Sequence, residues 1–481
     1  MMRQSKTYVY FFFSTLIFLL VYLGCKSNSQ TSDKQIFLGG EIVNPKNNKV
    51  VVYKVDEKTS DTLILNENNR FSYTIPNSKS GVFSFWHGGE FQLVLLEPND
   101  SIMLRLNTYD FDESLVFSGT GSKKNNYLIK TYLFNEAERK KLMSYCKMEP
   151  EEFSSFIEDR RQKQLEEFKE FKSHEDISEF FETIMTANIN YHAYADKEIY
   201  PFAYFGNNQL IHHKDLPEDF YNHRSAVDLN ADHLGNFYFY NRFLFSHFDN
   251  LALHAYYKNS EDHNAFNRHA LDYNLAKLTM IDSMISSKTI KNKLLKYKTR
   301  DFISFCSEEE KLNHMLNHFL DLSSSEKDKK DISDLVNALE ALSIGNKLPD
   351  LEVVNLKNES RLLQNIIDKP TIIYFWTSNL KSQYRNSHYR VQSLRRQYKD
   401  IDFISININD SDDKYWEKII NQYDFSHDYE YKFKNSRTSL KKLAVNYVNK
   451  AIIVDKDSRI IHPNINIFNT DFEAFLSTMT E

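Results

Sequence analysis

Three cysteines, Cys25, Cys146 and Cys306, are the chain's whole supply of thiols. No two of them stand in the Cys-x-x-Cys spacing that disulfide exchange uses. Cys146 and Cys306 lie 160 residues apart. They could pair in an oxidising compartment, or serve as small buried hydrophobes. His314 and His318, in HMLNH, have the i,i+4 spacing that puts two metal ligands on one helical face, but position 315 is Met where metal hydrolases carry a glutamate base. Twelve of the 16 histidines lie between His174 and His318, including His212, His213, His247 and His254, which raises one weak reading of metal or haem binding. A third ligand is not identifiable, so the expectation is no metal and no cofactor. With 11 glycines in all, and no Gly-x-Ser-x-Gly elbow, nucleotide loops and serine-hydrolase chemistry have little material. Thr377 and Ser378 follow an apolar run ending in Trp376, but no neighbouring residue is identifiable as a general base. Their expected use is to cap a helix starting near Asn379.

The start of the chain has the three parts of an export signal. Arg3 and Lys6 precede an apolar run from Tyr8 to Leu23, and Gly24-Cys25 closes it before a polar stretch. Leu23-Gly24-Cys25 resembles the lipobox of bacterial lipoproteins, with Tyr22 where leucine is usual. The resemblance implies cleavage before Cys25 and a lipid on its sulfur, hence a signal peptide over 1–24 and a tether over 25–34. No later run is long enough to span a bilayer. A net charge of −6 with no concentrated basic patch argues against nucleic acid as a partner.

Residues 35–120 read as short β-branched and aromatic strands separated by turns such as Asn44-Pro45, Gly88-Gly89 and Pro98-Asn99-Asp100. That pattern predicts an antiparallel β-sandwich-like domain, with Trp86 in its core or on a sheet surface. Residues 121–343 lose glycine and proline and gain apolar residues at three- and four-residue spacing, as in FSSFIEDRRQKQLEEFKEF. They predict an all-α domain. SEKDKKDISD, Ser325 to Asp334, could be a linker or a solvated helix start.

Residues 344–481 alternate strands and helices. Leu351–Asn355 reads as an edge strand, Thr371–Trp376 and Asp402–Asn407 as strands, and Ala451–Val454 with Arg459–Ile461 as a hairpin. Helices fit Asn379–Lys399, Lys414–Tyr423, Thr438–Val445 and Thr470–Met479. GNKLPD (Gly345–Asp350), KPTIIYFWTS (Lys369–Ser378), ISININDSDDKYWEKI (Ile404–Ile419) and VNKAIIVDKDSRII (Val448–Ile461) resemble the TlpA-like branch of the thioredoxin superfamily, as found in Bacteroidetes-type lipoproteins. The resemblance implies a thioredoxin-like α/β fold, and segments 35–120 and 121–343 resemble the β-domain and helical insert that precede it in such lipoproteins.

The family's Trp-Cys-x-x-Cys reads Trp376-Thr377-Ser378-Asn379-Leu380 here, and its cis-proline maps onto Asn449. An alcohol and a leucine cannot replace two thiols, and a non-proline residue disfavours a cis bond by about 3 kcal/mol. The reading is therefore a multidomain cell-envelope lipoprotein with a degenerate, redox-inactive site and no catalytic residue. It would bind a polypeptide or small ligand and be held, on the periplasmic side, to a membrane through Cys25. Thiol–disulfide oxidoreductase and a metal- or haem-binding helical lipoprotein are the alternatives.

Overall fold

The computed structural model describes residues 35–55, 57–76, 79–204, 215–259, 266–306, 308–409 and 413–479. The export signal, Cys25, His212 and His213 lie outside them. The chain divides into two compact units, residues 1–87 with 91–129, and residues 88–90 with 130–481.

In the first unit the strands are β1 (Ile36–Val43), β2 (Lys49–Lys54), β3 (Thr59–Ile64), β4 (Arg70–Ile75), β5 (Gly81–His87), β6 (Glu90–Leu96), β7 (Ser101–Asn107) and β8 (Val116–Thr120). They form two four-stranded sheets, ordered β4-β1-β7-β8 and β3-β2-β5-β6. β7 shows why such runs become strands: Ile102, Leu104 and Leu106 are buried while Ser101, Met103 and Arg105 face out. One pairing departs from the antiparallel expectation. β1 runs parallel to β7, Phe37 opposite Ser101 through Val43 opposite Asn107. Parallel neighbours need a long crossover, and β2–β6 supply it. Gly40 sits where the sheet leaves no room, since a Cβ there would lie 2.7 Å from Leu104 Cγ. Trp86 is on the sheet surface, stacked on Phe91 at 4.2 Å.

Helix α1 (Ser122–Tyr145) begins in this unit. Its Lys124 ammonium reaches Glu97 at 2.7 Å and Asp100 at 2.6 Å. The Asn125 carboxamide accepts from Leu95 N at 2.8 Å and donates to Leu95 O at 2.9 Å, closing an edge of β6.

The second unit holds the helical part, α2 (Pro150–His174), α3 (Glu179–Ala203), α4 (Tyr238–Asn259), α5 (Leu271–Met284), α6 (Lys288–Phe305), α7 (Glu309–Leu322) and α8 (Glu326–Ala341). Pro150 with Glu151 and Glu152 opens α2, residues suited to a first turn with free N–H groups. Ser325 accepts from Asp328 N, so the polar Ser325–Asp334 run starts α8 and is not a linker. Aromatic packing fixes α3 against α4, with Tyr191 edge-on to Tyr240 at 5.0 Å and to Phe243 at 5.3 Å.

The same unit holds the α/β part: β9 (Glu352–Asn355), β10 (Ser360–Leu362), β11 (Thr371–Trp376), α9 (Lys381–Gln397), β12 (Asp402–Asn407), α10 (Asp413–Gln422), β13 (Glu430–Phe433), α11 (Ser436–Lys442), β14 (Lys450–Val454), β15 (Ile460–Asn466) and α12 (Asp471–Thr478). They build a seven-stranded sheet ordered β10-β9-β13-β12-β11-β14-β15. β11 is buried throughout, which is why TIIYFW is apolar without alternation. It runs parallel to β12 and antiparallel to β14. β9 is not at the edge, because the polar strand β10 pairs outside it in the register Ser360 opposite Val354.

The helical and α/β parts share apolar burial. Leu342 belongs to the sheet's core, and Leu335, Ala338 and Leu339 of α8 pack on it. Phe305 stacks on Tyr447 at 5.6 Å, and Asn464 Nδ2 donates to Ser304 O at 2.8 Å.

Candidate functional site at the β11–α9 junction

β11 delivers Trp376 into the core, completely buried against Tyr384 and Trp416. The chain then turns through Thr377, Ser378, Asn379 and Leu380 before α9 begins. The helix cap is Leu380, which gives no side-chain hydrogen bond, so the capping role expected of Thr377 or Ser378 is not what they do. The turn holds both residues back from the helix, where they meet the end of β12. Thr377 Oγ1 donates to Asn409 Oδ1 at 2.8 Å and accepts from Asn379 N at 3.3 Å. Ser378 N donates to Asn409 Oδ1 at 2.7 Å, and Ser378 Oγ accepts from Asn407 Nδ2 at 2.8 Å. Asn409 N in turn donates to Asn407 Oδ1 at 2.8 Å.

Gln383, which the sequence did not single out, joins three chain segments. Its Oε1 accepts from Thr377 N at 3.3 Å. Its Nε2 lies 3.2 Å from Phe375 O and 3.3 Å from Asn449 Oδ1. Asn449 therefore stands beside the junction, and its preceding peptide bond is trans, as are all those among the described residues. Leu380 is half exposed. Among the described residues amide groups partner Thr377, with neither a base to activate it nor a thiol beside it. Such a set can hold a ligand by hydrogen bonds but offers no activated nucleophile.

The remaining thiols do not relocate the chemistry. Cys146 and Cys306 are both free. Burial pushes the Cys146 thiol up to about 12 and also raises Cys306, the opposite of what a reactive thiolate needs. His318 Nε2 lies 3.0 Å from Thr279 Oγ1. Among the described residues no three His, Cys, Asp or Glu side chains are grouped to hold a metal, and His314 and His318 have no third ligand. His247 instead faces a carboxylate, Glu198, at 2.9 Å.

Behind β11 sits a second polar group that no local motif announced. His388 Nε2 is 3.1 Å from Glu430 Oε1 and 3.2 Å from Ser405 Oγ, while Nδ1 is 2.6 Å from Tyr384 O. Serine, histidine and glutamate invite a hydrolase reading. The geometry refuses it, because both partners approach the same ring nitrogen and all three side chains are buried. The group is structural.

Lys450, next after Asn449, is buried with its ammonium on the carbonyls of Leu443 and Ala444 at 2.9 and 3.1 Å. Burial pulls its pKa from 10.5 down to about 7. The unfolded chain thus keeps this proton to higher pH than the folded one, and the native state gains stability as pH rises from about 7 towards 10.5. Lys450→Met should flatten that rise, read as urea midpoints at about pH 6.5 and about pH 9.5.

Residues 368–460 match the Thioredoxin-like family. The chain thus carries a thioredoxin-like domain in its C-terminal part. Among solved structures, the thioredoxin domain of a thiol-disulfide oxidoreductase from Bacteroides vulgatus is 16% identical, with 29% of this chain and 99% of that one covered and a TM-score of 0.25. A thiol:disulfide interchange protein from Bacteroides sp. is 17% identical, covering 29% and 89% with a TM-score of 0.25. A thioredoxin-like protein from Bacteroides caccae is 13% identical, covering 44% and 77% with a TM-score of 0.30. No curated protein matches the sequence.

Proposed function

We propose that this chain is a cell-envelope lipoprotein of the TlpA-like kind whose thioredoxin-like domain has exchanged redox chemistry for binding. Lipid on Cys25 would hold it to a membrane, with a sandwich-like β-domain and the helical part ahead of the α/β part on the periplasmic side. The observation that carries the reading is the Thr377–Leu380 turn. Where disulfide exchange needs a thiolate and a resolving thiol, the turn holds an alcohol and an exposed leucine, fixed by the carboxamides of Asn407, Asn409 and Gln383. A polypeptide or small ligand would be held there by hydrogen bonds and by apolar contact with Leu380.

The test is insulin reduction by dithiothreitol, with the whole protein purified in detergent. The native protein should leave the uncatalysed rate unchanged, and a Thr377→Cys, Leu380→Cys variant should accelerate it. Acceleration by the native protein would overturn the reading and turn attention to Cys146 and Cys306.

A further inference from the structure

α6 and α8 of the helical part and the end of α11 in the α/β part line a cavity of about 240 Å³, which shares no residue with the β11–α9 junction. Helix periodicity decides what faces it. Lys296 and Arg300 stand four apart on α6, and Asp331 and Leu335 four apart on α8, so each pair shares one helical face. α11 ends with Ala444 in the left-handed region, at φ 47°, and Val445 N donates back to Leu440 O at 2.9 Å. That turn brings Val445 and Asn446 into the wall. Its apolar part comes from Ile332 and Leu335 on α8, and from Leu440, Ala444 and Val445 opposite.

The charges in the wall do not balance. Both of its carboxylates are taken, Asp331 by Lys296 at 2.7 Å and Asp334 by Lys330 at 3.2 Å. Lys296 also holds Asp328 at 2.6 Å. The hydrogen bond from Lys296, and the nearby charges of Lys441 and Lys327, hold the Asp331 carboxyl below its usual range. Three carboxylates, Asp328, Asp331 and Asp334, thus answer five cations, Lys296, Lys327, Lys330, Lys441 and Arg300. Arg300 is the least engaged of them. Among the described residues its guanidinium has one hydrogen-bond partner, Asn446 Oδ1 at 3.2 Å, and no carboxylate. Asp301, next in the chain, acts on Lys277 and Tyr297. A guanidinium carries a fork of N–H donors that matches a carboxylate, and most of this one is unused.

From this excess of positive charge beside an apolar wall, we infer that the cavity binds a small monocarboxylate with a compact apolar body. The carboxylate sits on Arg300 with Lys441 beside it, and the body lies against Leu335, Leu440 and Val445. Asp331 and Asp334 repel a second carboxylate on the same ligand. The volume falls below the span usual for drug-sized ligands, which keeps the body short.

Calorimetric titration of the whole protein in detergent, against a detergent blank, tests this with benzoate, phenylacetate and isovalerate. Acetate serves as the carboxylate without the body, and benzylamine as the body with the opposite charge. At least one of the three carboxylates should bind saturably and more tightly than either control. Arg300→Met should weaken that binding by about tenfold with the circular-dichroism melt retained, and Val445→Thr by about threefold. If Arg300→Met does not fold, Lys441→Met serves, with an expected loss of about threefold. The inference is overturned if none of the three binds, if acetate or benzylamine binds as tightly, or if the folded variants bind as the native protein does.

Discussion

Replacing Glu198 by alanine is expected to lower the unfolding free energy by about 3–5 kcal/mol, the usual consequence of stranding buried charge. Glu198 is completely buried on α3. One oxygen accepts from Arg224 Nε at 2.8 Å, from His247 Nδ1 at 2.9 Å and from His223 at 3.2 Å, and the other accepts from Arg224 at 2.6 Å. Its backbone carbonyl accepts from Asn250 Nδ2 at 3.0 Å, so this point of α3 is tied to α4 as well. Among the described residues, removal of the carboxylate leaves a guanidinium held only by its face against Tyr221, 3.7 Å away, and takes from two imidazoles the acceptor they share.

The sign of the pH dependence follows from the carboxyl's lowered pKa. A group ionised more readily in the native state stabilises it above the unfolded pKa, near 4.5, and that contribution is lost as pH falls through the lower native value. Urea midpoints of native protein and variant should differ most near neutrality and converge in acid. Equal midpoints at neutral pH would show that Glu198 does not hold these elements together.

The strands that the sequence shows best are those whose burial is simplest. TIIYFW is covered on both faces, so its apolar run and its limits coincide, and Asp402–Asn407 behaves alike. β13 escaped notice because EYKF has no continuous apolar run. It becomes a strand through its parallel pairing with β12 and its antiparallel pairing with β9. The helices of the central part follow from their spacing, but their buried charges do not. Asp196 and Glu198 have the residue types of a solvated helix face. Partners from sequence-distant residues, Arg160 and Arg242 on Asp196 and Arg224 on Glu198, make their burial tolerable.

At the junction, residue type shows that thiols are absent, and a local reading goes no further. Thr377 and Ser378 are good capping residues, yet the turn puts Leu380 at the cap and gives their hydroxyls to β12. Gln383 has no signature at all, because a glutamine on an amphipathic helix is ordinarily solvated. Its role arises from the approach of Phe375, Thr377 and Asn449 around one side chain. His388, Ser405 and Glu430 meet only because α9, β12 and β13 pack together.

That last group gives the second large expected effect. Glu430→Leu should cost about 3 kcal/mol, because it strands two buried polar groups at once. The Ser405 hydroxyl donates to Glu430 Oε2 at 2.8 Å, and His388 Nε2 faces Oε1 at 3.1 Å. Glu430→Gln should cost less, since its amide oxygen can still accept from Ser405 or from the imidazole. Urea unfolding of the two variants gives the ordering, and a glutamine variant as unstable as the leucine one would show that one retained acceptor does not hold the group together. The consequence reaches the junction itself. Phe425 stacks on the His388 ring at 3.8 Å, and Trp376 meets it edge-on at 5.1 Å. A ring loosened by Glu430→Leu frees the indole that ends β11, and with it the turn at Thr377. Glu430→Leu should therefore also weaken the binding proposed for the turn, although Glu430 touches no residue of that turn through its carboxylate.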